Sequence, residues 1–257
     1  MEKSNFTRQF EDFGIKMYVL AILSIISIFT GGIIQLVMFI IMLLSLRDIK
    51  DANLELGNEK LEKFRKYIIY AVIVGIVGAL IIIVIGVIVG ILFISALPGF
   101  TISDPITVSE FQEIAPLIRI LLVVLLGGGL PVGAVALGLL MIAWKHFHMF
   151  LERNSGLFPN TVAPKAIEGS GTIKKSYLYL LISLIIGAII VLIAIFMFPQ
   201  IEKLIIHFIE ETTPSTELLG GIIAVFAVPV IAIAVLGIIS FILMIIGYFR
   251  LAELKHL

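Results

Sequence analysis

Residues 67–97 read YIIYAVIVGIVGALIIIVIGVIVGILFISAL, a run without one charged side chain. A bilayer core about 30 Å thick needs about 20 consecutive apolar residues of helix. In hydrocarbon the backbone finds no water, and only a helix satisfies every N–H and C=O within its own segment. The run is therefore read as a membrane-spanning helix. Met17–Leu46, Leu117–Trp144, Ser176–Phe198 and Leu218–Phe249 read the same way. The expected fold is all-α: a polytopic transmembrane helix bundle of about five spans.

Composition points in the same direction. Of 257 residues, 60% are hydrophobic and 14% charged, against about 25% charged in an ordinary soluble domain. The 18 basic and 18 acidic side chains cancel, leaving no net field to draw nucleic acid, which is not an expected partner. The absence of cysteine excludes disulfides, thiolate metal sites and cysteine nucleophiles. The first 16 residues mix both signs of charge and lead into an apolar run too long for a cleaved signal peptide.

Basic residues set the orientation. Arg47, Lys50, Lys60, Lys63, Arg65 and Lys66 crowd one loop, and Lys145, Arg153, Lys165, Lys174 and Lys175 another. Loop 98–116 has none and loop 199–217 only Lys203. Lys and Arg accumulate on the cytoplasmic side, so both basic loops and the C-terminus are expected there, in a multi-pass protein of the cell membrane. The first span is interrupted by Thr30-Gly31-Gly32. As a kink it leaves one helix and puts the N-terminus outside; as a hairpin turn it gives six segments and puts the N-terminus inside.

The chain also suggests an internal two-helix repeat. Phe64-Arg65-Lys66-Tyr67 aligns with Ile173-Lys174-Lys175-Ser176, and Gly78-Ala79 with Gly187-Ala188 in the same register. Four segments follow. Residues 1–16 form an interfacial amphipathic segment carrying Phe6, Phe10 and Phe13, and 17–97 a first helix pair. Residues 98–198 hold an outer loop and second pair; 199–257 hold an outer amphipathic helix, the last transmembrane helix and a short tail. Ile201, Leu204, Ile205, Phe208 and Ile209 give that amphipathic helix its spacing. By analogy with the outer segments, the N-terminus is placed outside. Residues 59–66 read as a solvated helix capped by Asn58, with Glu59–Lys63 and Glu62–Lys66 as i,i+4 pairs. The Gly/Pro/Ser-rich stretch 154–171 reads as a mobile loop.

Chemistry at depth needs ionisable groups in the spans. Four spans contain no Asp, Glu, Lys, Arg or His, and Arg119 lies near the end of the remaining one. His148 with Glu152 has the i,i+4 spacing of a metal pair, but His146, two residues away from His148, points elsewhere. His207 and His256 lie at the polar edges. No enzyme, cofactor or metal is expected. The functional candidates are instead helix interruptions: Gly31 and Gly32 with the lone amide Gln35; Gly127, Gly128 and Gly129 with Pro131; and Gly220 and Gly221 with Pro229. Such Gly/Pro breaks at corresponding positions are the sequence pointer to a transporter's solute path.

The stretch Leu44-Ser45-Leu46-Arg47-Asp48-Ile49-Lys50-Asp51-Ala52, with the charged loop and Phe64-Arg65-Lys66-Tyr67 after it, resembles small archaeal integral-membrane families of unknown function over about residues 17–90. The resemblance implies a multispanning helical protein and carries no functional residue. The expected role is a non-enzymatic structural or accessory subunit, in contact with membrane lipid and with partner membrane subunits or further copies of itself. The alternative is a uniporter or channel for a small or apolar solute using the broken helices.

Overall fold

The computed structural model describes residues 5–30, 32–96, 106–210 and 215–257, so the candidate Gly31 lies outside the described residues. The described chain is helical: α1 (Asn5–Thr30), α2 (Gly32–Leu56), α3 (Glu59–Ala96), α4 (Val108–Val124), α5 (Leu130–Arg153), α6 (Ala163–Phe196), α7 (Phe198–Ile209) and α8 (Thr216–Leu251). The chain reads as all-α, and six helical stretches are long and apolar enough to cross a membrane, with α4 and α5 counted as one.

The first apolar stretch is two helices, not one. Lys16 Nζ lies 2.6 Å from Asp48 Oδ2, and the Phe6 amide donates to Glu55 Oε2 at 2.9 Å. A continuous helix would hold Lys16 and Asp48 roughly 48 Å apart at 1.5 Å per residue. The chain therefore reverses between α1 and α2, and the five-span expectation becomes six helices. Gly14 of α1 lies directly against the backbone of Leu254 and Lys255 in the C-terminal turn, where a Cβ would stand 2.8 Å from the Leu254 carbonyl carbon.

Contacts divide the chain into two compact units. One comprises the described residues of Met1–Val72, Ala136–Leu181 and Leu236–Leu257; the other comprises those of Ile73–Val135 and Ile182–Val235. The first unit is built around aromatic rings. Trp144, Phe147 and Leu151 recur at helical spacing on α5, with Phe150 beside them, and all four are buried. Phe147 lies 5.3 Å from Phe13, 4.7 Å from Phe64 and 5.8 Å from Trp144, ring centre to ring centre, and Phe10 stacks on Phe150 at 5.7 Å. Phe10 and Phe13, expected at the membrane surface, are thus core residues. Burying one such side chain contributes about 1.5–3 kcal/mol.

The ends of the helices follow from local sequence. Gly57, at φ +58°, takes the left-handed conformation that closes α2, and its amide donates to the Asn53 carbonyl at 2.9 Å. Asn58 caps α3 by accepting from the Lys60 amide at 2.9 Å, as expected, and Lys66 reaches Glu62 at 2.6 Å. The stretch 154–171 departs from expectation: α6 starts at Ala163 and runs through Gly169 and Gly171. Those glycines serve packing. A Cβ on Gly169 would stand 2.8 Å from the Gly247 carbonyl oxygen of α8, and one on Gly171 would stand 3.2 Å from the His148 ring. Below this crossing Ser240 Oγ donates to the Ser176 carbonyl at 2.9 Å, with both serines fully buried.

In the second unit small residues let helices approach closely. Gly78 abuts Val132, Gly133 lies 3.0 Å from Leu184 Cδ1 measured from an added Cβ, and Gly187 faces Ile233. Thr107 and Glu110 form a reciprocal capping box at the start of α4. The amphipathic α7 lies against α4, with Phe198, Ile205 and Ile209 packed on Phe111 and Ile114.

Candidate functional site

The triple glycine is a local change of helix geometry rather than a gap. Leu125–Gly129 form one π-helical turn between α4 and α5, in which the Leu130 amide donates to the Leu125 carbonyl five residues back. Pro131 explains the position. It has no N–H to offer the Gly127 carbonyl, and its ring would clash with that carbonyl in a regular helix. A widened turn of residues without side chains absorbs both problems while the helix axis continues. Gly129 packs toward Ile82 of α3, whose Cδ1 would stand 3.4 Å from an added Cβ, whereas Gly127 and Gly128 have open space beside them. Next to the turn, Leu126, Leu130, Pro131, Ala134, Leu184 and Leu192 line an open groove of about 290 Å³ whose walls are wholly aliphatic. Such a groove accepts a methylene chain and offers an ion no ligand.

The other candidates do not join this turn. Gly32 and Gln35 are exposed residues of α2 and belong to the first unit. Gly220, Gly221 and Pro229 lie inside α8, which runs unbroken from Thr216 to Leu251, with open space beside both glycines. Glycine pairs weaken a helix in water, but in hydrocarbon every alternative leaves backbone groups unsatisfied, so the helix holds.

Two polar arrangements gain partners from distant parts of the chain. Arg119 shares an open cavity of about 470 Å³ with Gln112 and Pro116 of α4 and with Phe198 and Glu202 of α7. Arg119 was visible as the one charge inside a span, but its partners Phe198 and Glu202 come from a helix about 80 residues later. His148 is tied on both sides. Its Nδ1 lies 3.0 Å from the Ile167 carbonyl and 3.0 Å from Ser170 Oγ, and its Nε2 lies 3.3 Å from Glu152 Oε1. The i,i+4 pair therefore exists, as one end of a strut between α5 and α6. His146 points elsewhere and stacks on Tyr67, 5.5 Å between ring centres. No three His, Cys, Asp or Glu side chains converge among the described residues.

Comparison with family models, with curated proteins and with solved structures gave no match.

Proposed function

We propose that this chain is a non-enzymatic structural or accessory subunit of the cell membrane, packed against lipid and against a partner helix. The observation that carries this reading is Gln35. It is exposed on α2 among Ile33, Leu36, Val37 and Ile40, which are exposed as well. An amide at that depth finds no water, and a hydrogen bond from a neighbouring helix supplies what lipid does not. Gly86 and Gly90, with open space beside them on α3, add a surface that another helix backbone can approach closely. The positive-inside count, joined to the reversal between α1 and α2, supports an N-terminus and a C-terminus both in the cytoplasm.

Native mass spectrometry of the protein extracted gently from its own membrane tests the role. The expected result is a stoichiometric partner or a homo-oligomer, weakened by Gln35→Leu by about 3- to 30-fold, the range of interhelical polar contacts in membranes. A bare monomer, unchanged by Gln35→Leu, would overturn it.

The alternative, a uniporter or channel, is favoured by the π-helical turn at Leu125–Gly129, since such turns recur at functional sites. The aliphatic walls beside it suit an apolar solute.

A further inference from the structure

The strongest unexplained feature of the first unit is a cavity of about 440 Å³ between α5, α6 and α8. His148, Glu168, Thr172, Lys174, Lys175 and Arg250 supply its polar wall, while Leu243 and Ile246 supply an apolar one. The depth is informative. Lys174 and Lys175 immediately precede the apolar run of α6, Arg250 immediately follows that of α8, and His148 stands one turn beyond Trp144. All three helices thus present their cavity residues where apolar sequence gives way to polar, at the level of lipid headgroups.

The charges do not cancel inside the cavity. Arg250 Nη1 lies 2.6 Å from Glu168 Oε1, and His148 leans on Glu152. Lys174 and Lys175 are paired with no carboxylate among the described residues. The cavity therefore keeps two uncompensated ammonium groups beside a guanidinium that still has free donors. Its helical frame is held by the Gly169–Gly247 crossing and the Ser176–Ser240 hydrogen bond. Beneath it, Leu178 on α6 and Ile246, Ile242 and Ile239 on α8 are exposed, with spacings of three or four residues that keep them on the cation-bearing faces. A cationic head above an exposed apolar strip matches one class of molecule.

We propose that this cavity binds the phosphodiester headgroup of an anionic phospholipid, with Lys174 and Lys175 on the phosphate and an acyl chain along Leu178, Ile246 and Ile242. Basic pockets between transmembrane helices on the cytoplasmic side hold anionic headgroups in this manner. The assignment requires only that the helices span the membrane. It is independent of any partner subunit, and its test reads a different quantity from the oligomer measurement.

The test is native mass spectrometry of the delipidated full-length protein, titrated separately with phosphatidylglycerol, phosphatidylcholine and inorganic phosphate. The expected result is saturable binding of phosphatidylglycerol, at least about tenfold tighter than phosphatidylcholine. The double variant Lys174→Gln/Lys175→Gln weakens it about 30-fold, on a scale of about 1 kcal/mol per lysine near an anionic surface. The variant is expected to keep the parent's melting temperature, since neither lysine pairs with a carboxylate among the described residues. Equal binding of both lipids, or an unchanged affinity in a variant of parental stability, would overturn the proposal. Inorganic phosphate binding as tightly as phosphatidylglycerol would also overturn the lipid assignment and make the cavity a free-phosphate site.

Discussion

Replacing Phe147 with alanine is expected to destabilise the first unit by about 3–5 kcal/mol, the cost of emptying a well-packed aromatic site. Phe147 is fully buried and touches rings from two other helices, Phe13 of α1 and Phe64 of α3, and along its own helix Trp144 and Phe150. Those rings cannot collapse freely into the void, because they are held by three different helices, α1, α3 and α5. The chain provides its own reporter, since Trp144 is the one tryptophan in the sequence and is fully buried in this core. Denaturant unfolding followed by Trp144 emission should show an earlier midpoint and a red shift. A loss below about 1 kcal/mol would mean that the ring cluster does not hold the unit together.

The second large effect is expected from Gly247→Leu. A Cβ at Gly247 would stand 3.0 Å from the Gly169 carbonyl oxygen and 3.1 Å from the Ile173 amide nitrogen, and closer still to the Ile173 side chain. Two of those obstacles are backbone, so α6 and α8 must separate, and the buried Ser176–Ser240 hydrogen bond is strained with them. Overpacking typically costs about 1–3 kcal/mol, and the rigid obstacles here place the cost at the upper end, about 3 kcal/mol. Gly138→Leu is the matched control: Gly138 belongs to the same unit and has open space beside it. Equal losses of thermal stability from the two substitutions would contradict the close crossing of α6 on α8.

What was legible in advance divides along physical lines. The apolar spans needed only composition, because a backbone in hydrocarbon has no choice but helix. Short-range signals were equally readable: the Asn58 cap, the Glu62–Lys66 pair and the amphipathic α7 all depend on residues within one or two turns. The reversal between α1 and α2 was not decidable, because a glycine pair in an apolar run suits a kink or a turn equally. What decides it is long-range, the Lys16–Asp48 contact and the seat of Gly14 on Leu254. The same holds for 154–171, where glycine and serine composition suggested a loop. Gly169 and Gly171 are small because α8 and the His148 ring lie against them, which only the tertiary structure reveals. At the candidate site, the position of the π-helical turn could be read from Gly127–Gly129 and Pro131, but its aliphatic surroundings could not. The basic cavity was missed because its charges are contributed by α6 and α8 from positions 75 residues apart, each unremarkable alone.

Labelling of single cysteines with a membrane-impermeant maleimide tests the proposal central to the account, six membrane crossings with both termini on one side. The protein contains no cysteine, so each introduced thiol is the only one that reacts. Arg8, Ser109 and His256 are all exposed and suit substitution. In intact cells, Ser109→Cys should label from outside, whereas Arg8→Cys and His256→Cys should label only after the membrane is opened. Labelling of Arg8→Cys together with Ser109→Cys in intact cells, with His256→Cys protected, would restore the single kinked first span and contradict the six-helix account.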